Sequence, residues 1–82
     1  MIHRFGKWLF ICRTENTSYG FRHLVDVYFD EGEYPIASGK CTYHNRTWES
    51  YTFQTVILKA VENITSTYIS TKDREKLQGE IK

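Results

Sequence analysis

The chain has 82 residues, 40% of them hydrophobic and 16% aromatic, with 11 Lys or Arg set against 10 Asp or Glu. A chain this short buries only about 60–65% of the surface its unfolded form exposes, so one domain over residues 1–82 is expected, with a core of a few large side chains and loosely held ends at 1–6 and 79–82. A formal charge of +1 excludes the uniformly basic surface of a protein that grips a DNA backbone, and equally the acidic surface of a whole-molecule DNA mimic; a single Pro and no low-complexity run exclude a disordered tail, and the longest apolar run, Trp8-Leu9-Phe10-Ile11-Cys12, falls far short of the roughly 18 residues of a membrane span.

Lys7–Thr14 carries Trp8, Phe10 and Cys12 on one side and Leu9 and Ile11 on the other, apolar on both faces, the pattern of a central strand. Glu15-Asn16-Thr17-Ser18-Tyr19-Gly20 gathers turn formers, so Phe21–Asp30 is predicted to fold back antiparallel. Its odd positions, Phe21, His23, Val25, Val27 and Phe29, face the core, and Arg22, Leu24, Asp26 and Tyr28 face away. Asp30-Glu31-Gly32-Glu33 reads as a solvated turn centred on its glycine, and also as an acidic spot that would meet a basic partner surface. Tyr34–Tyr43 is a weaker third strand at a sheet edge, because Pro35 lacks a donor and Gly39 weakens the interior.

The period then changes. Phe53, Val56, Ile57, Ala60, Val61 and Ile64 form the stripe of an amphipathic helix seated on a sheet. Asn45, Thr47 and Ser50 are candidate N-caps, and the start is expected between Thr47 and Ser50. The β-branched and turn-prone run Asn63–Thr67 ends this helix, and Ser70-Thr71-Lys72-Asp73 opens a second as a capping-box variant. With only Leu77 and Ile81 on its apolar ridge and Gly79 near its end, the second helix is expected to dock weakly or fray. The predicted fold class is α+β: a three-stranded antiparallel sheet in β-β-β-α-α order, one long amphipathic helix packed on one face and a short C-terminal helix.

Cys12 and Cys41 lie inside strand patterns and read as buried free thiols, since nothing indicates export. Together with His23 and His44 they would supply zinc-compatible donors, but the spacing matches no zinc motif; no metal and no cofactor is expected. Asn16, Asn45 and Asn63 all sit in Asn-x-Ser/Thr triplets, which 9 Thr and 5 Ser produce readily.

The densest cluster of chemistry is Tyr43-His44-Asn45-Arg46-Thr47-Trp48-Glu49-Ser50-Tyr51-Thr52-Phe53, at the passage from strand to helix. Arg46 offers a planar donor fork, Trp48 and Tyr51 amphipathic surface, and Asn45 and Glu49 polar groups for the backbone at the corner. A strand-to-helix corner needs a cap, an aromatic plug and a salt bridge, so these residues serve a structural role as readily as a binding one. The pattern Tyr43-x-Asn45-Arg46-Thr47-Trp48-Glu49-x-Tyr51-x-Phe53, followed by Val56 and a short amphipathic helix, resembles small phage and mobile-element accessory proteins of bacteria. The resemblance covers about 25 residues, roughly a third of the chain. It implies no catalytic set. It implies a protein that acts on a host protein in the bacterial cytoplasm, of the anti-CRISPR or anti-restriction class.

Without a nucleophile and base, paired carboxylates in a cleft, or a metal motif, no enzymatic activity is expected. Host-protein binding is the expected function, through Tyr43, Asn45, Arg46, Trp48, Glu49 and Tyr51 and through the acidic Asp30, Glu31 and Glu33. One helix covers one face of the sheet, a surplus that leaves Trp8 or Leu9, Tyr28, Tyr34 and Tyr43 as partner surface. Two alternatives use the same surplus. A nucleic-acid binder would stack bases on sheet aromatics with Arg4, Lys7, Arg13, Arg22, Lys40 and Arg46 on phosphates, and a homodimer would pair sheets or edges.

Overall fold

A computed structural model describes residues 2–18, 20–44 and 53–82. Strands β1 (Ile2–Phe5), β2 (Trp8–Thr17), β3 (Gly20–Phe29) and β4 (Ala37–His44) form one antiparallel sheet in the order β1-β2-β3-β4, followed by helices α1 (Phe53–Glu62) and α2 (Thr71–Ile81). The class is α+β as expected, but the sheet has four strands and not three. The additional strand is β1, which pairs Phe5 with Trp8 and Ile2 with Ile11. The signal for it was local: Gly6 at φ 60 occupies the first central position of a two-residue hairpin loop, where a primed turn needs positive φ.

Cross-strand pairing also overrides local turn propensity between β2 and β3. Glu15 stands opposite Arg22, Asn16 opposite Phe21 and Thr17 opposite Gly20, so the strands absorb most of the polar stretch expected to turn. At the far end the turn is built differently from its sequence reading. Asp30 and Glu31, at φ 50 and 60, take the left-handed conformations, and the Gly32 N–H donates to the Phe29 carbonyl at 3.0 Å, closing a type I′ turn. Tyr34 and Pro35 then precede β4 instead of starting it, and the Ile36 N–H returns to the Val27 carbonyl at 2.8 Å.

Phe10, Val25 and Val27 are fully buried, with Cys12 nearly so, and they meet Val56, Ile57, Ala60 and Val61 of α1, Ile64 and Ile69 of the following segment, and Leu77 of α2. The helix α1 lies against β3 and β4. Its expected start between Thr47 and Ser50 lies outside the described residues.

Gly39 sets how closely α1 approaches. A Cβ built there would lie 2.8 Å from the Ala60 nitrogen and 2.9 Å from the Val56 carbonyl oxygen, both backbone atoms that cannot swing aside. The residue that looked like a weak point of the strand is where helix and sheet touch.

The C-terminal helix is held more firmly than its sparse ridge implies. Ser70 caps it, its Oγ accepting from the Asp73 N–H at 3.1 Å. The Arg74 guanidinium donates to the carbonyls of Glu62 (3.2 Å) and Ile64, satisfying acceptors left over at the end of α1. Gln54 Nε2 donates to the Ile81 carbonyl at 3.0 Å, and Leu77 is buried.

Gly39→Ala is expected to lower stability in urea denaturation by about 1–3 kcal/mol, the usual range for overpacking, whereas Gly79→Ala, where an added Cβ meets nothing within 4 Å, is expected to raise it by roughly 0.5–1 kcal/mol. Equal effects from the two substitutions would mean that α1 does not bear on Gly39.

Candidate functional site

The register divides the expected binding residues between the two ends of the sheet. Asp30, Glu31 and Glu33 sit exposed in the β3–β4 loop, beyond Phe29. Tyr43 belongs to β4 opposite Phe21, eight positions from Phe29 along β3, a separation of roughly 26 Å at about 3.3 Å per residue. The two groups cannot form one contact patch. The side chain of Tyr43, and Asn45, Arg46, Trp48, Glu49 and Tyr51 altogether, lie outside the described residues.

The acidic turn is exposed and conformationally strained. Two consecutive non-glycine residues with positive φ are costly because Cβ crowds the backbone. The Asp30 N–H donates to the Lys7 carbonyl at 2.9 Å, locking the turn to the β1–β2 hairpin. Tyr34, 78% exposed, stands next to Glu33. Carboxylates and a phenol ring are thus presented together on a fixed backbone.

A second surface emerges from strand parity. The face of the sheet opposite α1 carries Leu9 and Ile11 from β2 and Leu24 and Tyr28 from β3, in adjacent register rows. Each is only half-buried, and Ile2, 66% exposed, extends the band onto β1. Leu9 and Tyr28 were anticipated from sequence; Ile11 and Leu24 complete a band that only register could assemble. Trp8, by contrast, faces α1 with Phe29, their ring centroids 4.5 Å apart. Arg4, Arg13, Arg22 and Lys40 share the open face with Glu15 and Asp26. Glu15 lies 3.3 Å from Arg22 and 3.8 Å from Arg13, exposed pairs that set side-chain direction more than stability.

His23 lies on the helix side. Its Nδ1 is 2.8 Å from Thr14 Oγ1, and its ring stacks 4.0 Å from Phe53 at the first residue of α1. Burial pushes its pKa below the ordinary imidazole value, while burial raises that of the Cys12 thiol. Cys12 is buried as expected, and no group of three or more His, Cys, Asp or Glu suited to a metal occurs among the described residues. Among those residues, too, no helix is long and apolar enough to cross a membrane. No protein-family model, no curated protein and no solved structure matches the chain.

Protonation of His23 favours the unfolded state, since the folded pKa is the lower one. Its effect is absent above neutral pH, and stability declines as pH falls through the ordinary value of about 6.5 toward the depressed folded value. Melting temperature followed from pH 8 to pH 5 is therefore expected to drop less in His23→Gln than in the parent; parallel curves would deny His23 this role. In the acidic turn, Glu31→Gly is expected to stabilise by up to about 1 kcal/mol by relieving the left-handed backbone, measured by urea denaturation, and a loss of stability would show that the Glu31 side chain makes a compensating contact.

Proposed function

We propose that this chain is a small, non-catalytic domain that works by binding another protein through the open face of its sheet. The observation carrying this reading is the band Leu9, Ile11, Leu24 and Tyr28, four apolar side chains in adjacent rows on the side that α1 does not cover. An antiparallel sheet with one solvated face ordinarily alternates apolar-in with polar-out. Here the middle two strands break that alternation: Leu9 pairs with Tyr28, while Ile11 stands opposite Asp26 and Leu24 opposite Arg13, apolar and charged side chains side by side as protein interfaces mix them. Arg4, Arg13, Arg22 and Lys40 outnumber Glu15 and Asp26 on this face, so the matching partner surface combines apolar with acidic groups.

The likeness of the Tyr43–Phe53 segment to phage accessory proteins supports a bacterial host protein as partner, met in the host cytoplasm. An inhibitor of a host defence system, of the anti-CRISPR or anti-restriction class, is the finer form of the proposal. The non-catalytic part rests on the sequence, which has no paired nucleophile and base and no metal motif.

A nucleic-acid reading draws on a 430 Å³ groove at the β4 edge, lined by Arg13, Lys40 and Lys59. Against it, Phe10 is sealed in the core and Trp8, Phe21 and Phe53 pack on its helix side, leaving Tyr28 as the described ring on the open face. A base-stacking platform needs several such rings. Self-association through the β4 edge is hindered because Asn63 Nδ2 already donates to the Ser38 carbonyl at 2.8 Å.

The test is capture from bacterial host lysate by the parent chain and by a Leu9→Glu, Leu24→Glu double variant. The expected outcome is one stoichiometric partner retained by the parent and lost by the variant at unchanged melting temperature. Equal capture by both rejects the open face; a salt-sensitive affinity for single-stranded oligonucleotide in place of a partner favours the nucleic-acid reading; a dimer by light scattering that the double variant abolishes favours self-association.

A further inference from the structure

A cleft of about 340 Å³ opens between the β1–β2 hairpin, the end of β3 and α2, on the helix side of the sheet and away from the band. Its walls are aromatic. Trp8 and Phe29 lie 4.5 Å apart with planes at 44°, and Tyr68 meets Phe29 edge-on at 6.4 Å. Tyr68, 46% exposed, lines the cleft beside Phe29. Asp73 and Glu80 line the same cleft from α2, and among the described residues neither carboxylate is in an ion pair.

We infer that this cleft receives a lysine or arginine side chain from a basic segment of the partner protein, an inference that rests on the protein-binding reading above. Ring faces carry negative electrostatic potential and attract a cation placed over them, and nearby carboxylates add charge that an apolar ligand would not use. The electrostatics extend beyond the cleft itself. The Asp30 N–H to Lys7 carbonyl bond brings the acidic turn to its border, so Asp30, Glu31 and Glu33 continue the acidic surface outward. Against these five carboxylates stand Lys7 and Lys76, an acidic excess on a chain whose formal charge is +1. The left-handed backbone at Asp30 and Glu31 fixes the turn where a side chain entering the cleft would bring its own neighbours. At about 340 Å³ the cleft has room for a long side chain and lies at the small end of the roughly 300–1,000 Å³ of ligand sites. A phosphate or nucleotide is disfavoured by the same carboxylates.

Titration of the isotope-labelled full chain with a hexa-arginine peptide, followed by NMR, tests this directly. The expected result is saturable shifts at the Trp8 indole N–H and at Tyr68. Tyr68→Ala, which removes a half-exposed ring and no charge, is expected to weaken binding at least fivefold, and Glu80→Lys at least tenfold. Glu62→Lys, an equal charge change on α1 outside the cleft, should leave it within twofold. Loss of affinity in Glu62→Lys equal to that in Glu80→Lys, with Tyr68→Ala unaltered, would reduce the effect to general charge attraction and overturn the inference, as would no binding at millimolar peptide. Lysate capture separates this from the wider proposal: a partner held at full strength by a Tyr68→Ala, Glu80→Lys variant but lost by the Leu9→Glu, Leu24→Glu variant sinks the cleft alone, whereas no partner for the parent sinks the protein-binding reading and leaves the peptide titration to decide the cleft.

Discussion

The contact between Gly39 of β4 and the backbone of α1 at Val56 and Ala60 governs the rest of the molecule. With no side chain on the strand and a methyl on the helix, the two backbones meet directly, and the flanking valines and isoleucines reach into the sheet from both sides of the contact. Val25 stands beside Gly39 in the register, and both join a core that includes Phe10 and Val61. In a domain this small, most of the stabilisation comes from burying few apolar side chains well. A helix lifted away from that one position would open space beside most of them.

From this layering follows the asymmetry of the sheet. Among the described residues, the helices and the Ile64–Ile69 segment occupy one side of the sheet and none covers the other. The open face is neither plainly polar nor plainly apolar, since a band of Leu, Ile and Tyr runs between Arg and Lys side chains. Its border is basic, while the loop end beyond Phe29 is acidic. A chain with formal charge +1 thus presents two surfaces of opposite sign, which net composition conceals.

Much of the fold was legible because periodicity reports burial. Alternation in β2 and β3 and the stripe of α1 were forced by the need to face Phe10, Val25, Val56 and Val61 inward, and Ser70 announced α2 through a local hydrogen bond that needs no tertiary partner. The departures share a cause. Ile2–Phe5 became a strand, Glu15–Thr17 remained in one, and Arg74 secured α2, all through partners distant in sequence or across a hairpin. The turn at Asp30 and Glu31 departs for another reason: a turn of this type needs positive φ at its two central positions, and Gly32 is at neither of them.

For the candidate sites the division is similar. The sequence by itself determined the inventory: a surplus of apolar and aromatic residues for one sheet, an acidic tetrad, and a polar-aromatic segment at the strand-to-helix passage, because residue chemistry is independent of where the chain folds. Only tertiary structure decided the groupings. Register set Leu9 opposite Tyr28 and Ile11 diagonal to Leu24, hairpin and helix packing enclosed Trp8, Phe29 and Tyr68 around one cleft, and the length of β3 separated the acidic turn from Tyr43. Adjacency on a surface depends on which strand pairs with which, and that is set by the whole core at once.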